Sequence, residues 1–122
     1  MKKILAIVLV MFMALPAAAE TIASIDITPS WIYLYNPQGK KYKSLSTSSV
    51  GQIVGYSSTF FVSKKSSWYY LYDADGKQYK TLSVSSVGEV LGVAGDTFTS
   101  RSGSWIYTWS KDGKRLNSRA AH

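Results

Sequence analysis

The sequence predicts an all-β chain built from antiparallel tandem repeats of about four short strands. Three observations carry this prediction. Trp31, Trp68 and Trp105 recur every 37 residues, and so do Gly39, Gly76 and Gly113. Segments that alternate large aromatic and aliphatic residues stand before each of those glycines, as half-buried strands do. After residue 20 no segment sustains the 3.6-residue apolar period of an amphipathic helix, so no helix is expected in the mature domain.

Setting residues 31–67 over 68–104 needs no gap and matches 18 of 37 positions. The shared skeleton reads S-W-x-Y-L-Y-x-x-x-G-K-x-Y-K-x-L-S-x-S-S-V-G. A third copy starts at Ser104-Trp105-Ile106-Tyr107 and fades after Lys114-Arg115, while Thr21–Ser30 reads as a shortened form of the segment that precedes the later tryptophans. The expected domain therefore holds units 31–67 and 68–104, with a partial unit made of 105–122 and 20–30. A period of this length marks supersecondary units that stack or radiate, because one such unit cannot bury its own apolar faces.

Each unit divides into four strands. Gly51–Tyr56 and Gly88–Val93 are mostly apolar on both faces, the pattern of a central strand. Thr59–Ser63 and Thr97–Arg101 follow, rich in Phe, Val and Thr. In the third strand, Trp68, Tyr70 and Tyr72 point to one face, and Tyr69 and Leu71 to the other; its copies are Trp31–Tyr35 and Trp105–Trp109. The fourth strand, Lys40–Ser46 or Lys77–Ser83, sets lysines between Tyr and Leu, as an edge strand that must resist pairing with other chains would.

Third and fourth strands are joined by Asn36-Pro37-Gln38-Gly39, Asp73-Ala74-Asp75-Gly76 and Ser110-Lys111-Asp112-Gly113. In each, Asn, Asp or Ser opens a type I turn, and glycine takes the left-handed position after it. Pro37 suits the second position of its turn.

The order of apolar inner strand, two middle strands, Gly turn and polar outer strand resembles a β-propeller blade. The likeness is clearest from Gly88-Glu89-Val90-Leu91-Gly92-Val93 through Trp105-Ile106-Tyr107-Thr108-Trp109 to Asp112-Gly113-Lys114. Propellers close with about four to eight blades, more than this chain holds. The resemblance therefore implies a partial propeller, completed as a ring of several chains or left as an open stack. A β-trefoil-like closed three-unit domain is the alternative. Ser67-Trp68-Tyr69-Tyr70-Leu71 with Gly76 is locally similar to the repeats of choline- and glucan-binding wall modules. Those repeats have a shorter period and a second Gly-Trp half, which this chain lacks.

Lys2 and Lys3, the apolar run Ile4–Leu15 and the small residues Ala17–Ala19 have the layout of a secretory signal of bacterial type. Cleavage is expected after Ala19, with residues 20–122 periplasmic or secreted and without a transmembrane segment. Of the formal +7, two charges belong to the leader. The remaining +5 is uneven: residues 31–67 carry five lysines and no acid, while 68–104 carry three basic and four acidic groups. With 46% hydrophobic and 14% aromatic residues the chain suits a packed core rather than disorder. Without cysteine it has no disulfide, thiol nucleophile or cysteine-ligated metal.

Chemistry is sparse. The only histidine is His122, which excludes a histidine-based triad or metal cluster in the body of the domain. Asp73 and Asp75 share one turn, where Asn36 and Gln38 stand one unit earlier; acids there cap turn backbone. Glu89 and Asp96 align with Gln52 and Thr59, so no acidic site repeats. Ser48-Ser49 and Ser85-Ser86 have no base beside them. No catalytic residue, metal or cofactor is expected.

The rows Trp31/Tyr33/Tyr35, Trp68/Tyr70/Tyr72 and Trp105/Tyr107/Trp109 serve first as core packing. Their last rings, Tyr35, Tyr72 and Trp109, lie beside exposed turns and are the expected ligand contacts, with Lys41 and Lys43 nearby. The expected function is that of an exported, non-enzymatic binding module for envelope glycans or a protein partner. The alternative is a purely structural repeat acting through a homo-oligomer. Interleaved basic and aromatic residues at Lys40-Lys41-Tyr42-Lys43 suit anionic envelope polymers, and export argues against genomic nucleic acid as partner.

Overall fold

The computed structural model describes residues 20–121; the expected leader, residues 1–19, and His122 lie outside them. Three antiparallel sheets stack in chain order. Sheet 1 holds β1 (Ser24–Ile27), β2 (Trp31–Tyr35) and β3 (Lys41–Ser46). Sheet 2 holds β4 (Gln52–Tyr56), β5 (Phe60–Lys65), β6 (Trp68–Asp73) and β7 (Gln78–Ser83). Sheet 3 holds β8 (Glu89–Ala94), β9 (Thr97–Ser102), β10 (Trp105–Ser110) and β11 (Arg115–Ala120). Each is a simple meander from an inner to an outer strand, and β4 and β8 lie side by side. The arrangement is all-β and partially propeller-like. Among the described residues the sheets pair strands only within themselves, with no trefoil-like closure.

Alternation along β6 sorts its residues between two cores. Tyr70 and Tyr72, with Phe61 and Ile53, pack against Ile32, Leu34 and Leu45 of sheet 1. Tyr69 and Leu71, with Phe60, Val62 and Leu82, pack against Phe98, Trp109 and Val90 of sheet 3. Sheet 2 is thus covered on both sides, which explains the fully buried Phe60, Phe61, Val62 and Leu71. Burying side chains of this size contributes about 1.5–3 kcal/mol each. Sheets 1 and 3 are each covered on one side. We call the side of a sheet turned toward the preceding one its front, and the other its back.

The Gly turns form as their sequence predicts. The amide of Gly39, Gly76 and Gly113 donates to the carbonyl of Asn36, Asp73 and Ser110 at 2.9, 3.0 and 2.9 Å. Their φ angles are +78°, +83° and +87°, a region open to glycine because it has no Cβ. Asn36 Oδ1 accepts from the amides of Gln38 and Lys40, and Asp73 Oδ1 from those of Asp75 and Lys77.

Two features depart from the sequence reading. Single helical turns, α1 (Thr47–Val50) and α2 (Val84–Val87), carry the chain from one sheet to the next, where no helix was expected. A single turn shows no 3.6-residue period. It is held instead by tertiary contacts: Val50 and Val87 are buried, and Gly51 and Gly88 end the turns at φ +89° and +87°. A Cβ on Gly51 would lie 2.7 Å from the carbonyl oxygen of Lys64, so the crossover needs glycine for space as well as for φ. The second departure is β11. The third unit continues past Arg115 and completes its sheet, although Arg115–Ala120 has lost most of the lysine–tyrosine pattern of β3 and β7. An edge strand needs only backbone pairing on one side, so its side chains are free to diverge.

Candidate functional site

At one end of the stack are the Gly turns and the hairpins between the first two strands; at the other are the Trp31, Trp68 and Trp105 loops and the crossovers. Hydrogen bonds join neighbouring sheets at both ends. Beside the second crossover Tyr69 O–H donates to Gly88 O at 2.7 Å, and the turn end carries more of them. Ile22 N–H donates to Ser58 O at 2.9 Å, Ser57 Oγ to Gly95 O at 2.7 Å, and Thr59 Oγ1 to Asp96 Oδ1 at 2.8 Å. Tyr42 O–H donates to Ala74 O at 2.6 Å, and Tyr79 repeats the bond to Lys111 O at 2.5 Å. The stem of Lys43 lies across Gly76, and that of Lys80 across Gly113.

This geometry corrects the expectation about which rings meet solvent. Tyr72 and Trp109 are only 7% exposed, and Tyr35 is half-buried. Tyr72 stacks on Phe61 at 4.7 Å, and Trp109 on Phe98 at 5.9 Å, with its Nε1–H donating to the buried Ser100 Oγ at 2.9 Å. The preceding sheet covers the turns beside Tyr72 and Trp109, whereas a Cβ on Gly39, in the turn beside Tyr35, would meet nothing within 4 Å. Lys43 spans the first of those covered turns. Lys41 instead lays its ammonium 4.3 Å from the centre of the Tyr33 ring, on a face that no other sheet of the described residues covers.

The exposed rings are the first of each row. Trp31, Trp68 and Trp105 are 47%, 46% and 49% exposed. Among the described residues Trp31 has no sheet in front of it and the other two do, so the neighbouring sheet takes no share in covering this position. The tryptophans lie beyond the inter-sheet core and repeat as a surface row. Beside Trp68 a cleft of about 530 Å³ is lined by Ser66, Ser67, Ser83, Ser85 and Lys64. Ser66 takes φ +59°, and Gly103 takes φ +58° in the same place one unit later. Ser83 and Ser85 share a 2.6 Å hydroxyl contact, and Ser46 and Ser48 repeat it at 2.9 Å. The amides of Thr47, Val84 and Ala121 bind the carbonyls of Ser30, Ser67 and Ser104, tying each tryptophan loop to the end of the outer strand.

The cleft thus joins a flat apolar ring to hydroxyls and one ammonium. Such a surface suits a ligand with an apolar face and a polar edge. Among the described residues no group of three or more His, Cys, Asp or Glu is placed to hold a metal ion. Asp73 and Asp75 line a separate hollow with Glu20 and Lys111, and Asp73 Oδ1 is engaged by its own turn. Sequence reasoning set the tryptophans in the core and missed the serines around them. The available signal was the Ser-Trp pair common to all three units, since small polar residues mark a strand end.

Neither a known protein family nor a curated protein matches this chain. Among the described residues no helix is long and apolar enough to cross a membrane.

Proposed function

We propose that this chain is an exported, non-enzymatic binding module for cell-envelope glycans, and that Trp31, Trp68 and Trp105 are its stacking platforms. The observation that carries this reading is the equal half-exposure of the three rings whether or not a sheet stands in front of them. A core residue would lose exposure when its neighbour is added. The C–H face of a sugar ring packs on indole, and its hydroxyls find Ser66, Ser67, Ser83 and Ser85 at the rim. The cleft volume falls within the range of about 300–1,000 Å³ usual for small-ligand sites. Stacked sheets lie about 10 Å apart, a spacing close to a disaccharide repeat, so a linear glycan can engage successive rings. Lys64 beside Trp68, and Arg101 at the matching position of sheet 3, favour chains that carry phosphate or carboxylate.

The test is titration of the mature protein with envelope polysaccharide fragments of increasing length, read by tryptophan fluorescence. Affinity is expected to rise with chain length and to fall by about tenfold or more in Trp68→Ala, as for a central binding residue. Identical affinity of Trp68→Ala and the unaltered protein, or no signal with any acidic or neutral glycan, overturns the reading.

A further inference from the structure

The front of sheet 1 is an aromatic sheet face over which, among the described residues, no sheet lies. Ser24 and Asp26 of β1 stand on one side of Tyr33 and Tyr35, and Lys41 and Ser44 of β3 on the other, in the pairs Ser24–Tyr35, Asp26–Tyr33, Tyr33–Ser44 and Tyr35–Lys41. The equivalent faces of sheets 2 and 3 are buried in the two cores.

The opposite end of the stack is built differently. On the back of sheet 3, Thr97, Thr99, Thr108 and Arg119 occupy the places of Phe60, Val62, Leu71 and Leu82 one unit earlier. Leu91, 52% exposed, and Ile106 share that face with them. It is more polar than the backs of the other two sheets without being free of apolar groups, as the outer face of a capping repeat is. A head-to-tail contact would set the tyrosines of one copy against that threonine and arginine surface. A face-to-face contact sets aromatic against aromatic.

Charge decides the geometry. Asp26 lies level with Tyr33 on the β1 side. Lys41 starts from the β3 side and brings its ammonium over the same ring, 4.3 Å from the centre. A two-fold axis parallel to β2 lays β1 of one copy over β3 of the other. Each Asp26 then faces the Lys41 of the partner copy, twice by symmetry.

We propose that the chain forms a two-fold dimer through the front of sheet 1, with Tyr33 and Tyr35 at its centre and two reciprocal Asp26–Lys41 pairs at its flanks. A self-complementary patch is what an isologous interface requires. The axis keeps both β2 strands running the same way, so the two Trp31 rings end on the same side. They stay accessible, because Trp68 and Trp105 remain 46% and 49% exposed with a sheet in front of them. The two tryptophan rows thus join into one. The dimer does not rest on the glycan reading and stands or falls without ligand.

The experiment is sedimentation equilibrium of mature protein across the micromolar range, with thermal melts confirming that each variant folds. Asp26 and Lys41 are exposed, so their replacement leaves the fold intact. Twice the chain mass is expected for the unaltered protein. Asp26→Lys and Lys41→Asp each weaken the dimer by about tenfold or more, and the double variant restores it by swapping the charges. The proposal is overturned by a monomer at every concentration or by single reversals that dimerise as well as the unaltered protein. It is equally overturned if the double variant is no tighter than the singles, or if Thr99→Arg/Thr108→Arg abolishes the dimer, which would show head-to-tail stacking.

Discussion

The hydroxyl of Tyr42 donates a 2.6 Å hydrogen bond to the carbonyl oxygen of Ala74, and one unit later Tyr79 makes the same bond to Lys111. Each bond pins the outer strand of one sheet to the Gly turn of the next. In the third unit Leu116, 57% exposed, stands in the tyrosine's place and has no following turn to reach. Tyr42→Phe and Tyr79→Phe are each expected to cost about 1 kcal/mol, the net worth of one such bond, measured by urea unfolding. Equal stability of the double variant and the unaltered protein contradicts the pinning role.

The same tyrosines give the fold an alkaline limit. Burial, with smaller contributions from Glu20, Asp75 and Asp73, pushes the Tyr42 hydroxyl from 10.0 up to about 12. Burial, followed by Asp112, Asp73 and Asp96, pushes Tyr79 up to about 12 as well. The folded state holds these protons to higher pH than the unfolded chain does. Their contribution is therefore complete below pH 10 and is lost between about 10 and 12, as the unfolded state ionises first. Denaturant midpoints should fall across that window and fall less steeply in Tyr42→Phe/Tyr79→Phe. An unchanged slope in the double variant removes the assignment.

Two equivalent serines behave oppositely. Ser100 Oγ accepts from Trp109 Nε1, whereas Ser63 Oγ is buried with no hydrogen-bond partner, because Tyr72 offers no donor at the tryptophan's position. Ser100→Ala strands a buried indole N–H and should cost about 1–3 kcal/mol. Ser63→Ala removes a hydroxyl whose burial is uncompensated and should be neutral or stabilising. Similar losses in both variants would refute this contrast, and thermal melts suffice to measure it.

Gly55 and Gly92 occupy the same place in successive inner strands. A Cβ on Gly55 would lie 2.7 Å from Val93 Cγ2, while one on Gly92 meets nothing within 4 Å. Gly55→Ala should destabilise by about 1–3 kcal/mol through overpacking. Gly92→Ala should gain about 0.5–1 kcal/mol through a stiffer unfolded chain. If both variants lose stability alike, some element absent from this structure covers the inner strand of sheet 3.

The tryptophans should divide by position in the row. Trp109→Ala opens the second core and is expected to cost about 3–5 kcal/mol. Trp31→Ala, Trp68→Ala and Trp105→Ala remove half-exposed rings and should stay within about 1 kcal/mol of the unaltered protein. Urea titrations of the four variants check the order, and a large loss in Trp68→Ala would return that ring to the core.

Much of the fold was legible because its signals are local. The turn at Asp73–Gly76 is specified by an acid that caps its own backbone and a glycine at positive φ. The two faces of β6 are specified by alternation alone. The helical turns at Thr47–Val50 and Val84–Val87 were not legible, since four residues are too few for a period and their stability comes from Val50 and Val87 reaching into the cores. The candidate site was legible in composition but misplaced in position. Tyr72 and Trp109 sit beside polar turns, and nothing within their own unit says that Lys43 and Tyr42, or Lys80 and Tyr79, will close over those turns.

By itself, the sequence determined the 37-residue unit, its strands, its Gly turns and the division of each aromatic row from the residues between. These are short-range consequences of chirality, pleat and glycine's missing Cβ. Only the tertiary structure decided which ring of each row is buried, which end of the stack is polar and which aromatic face is left open. Exposure is a property of what stands opposite a side chain. For Tyr72 and Trp109 that neighbour lies in another sheet, and for Tyr35 no sheet among the described residues supplies it.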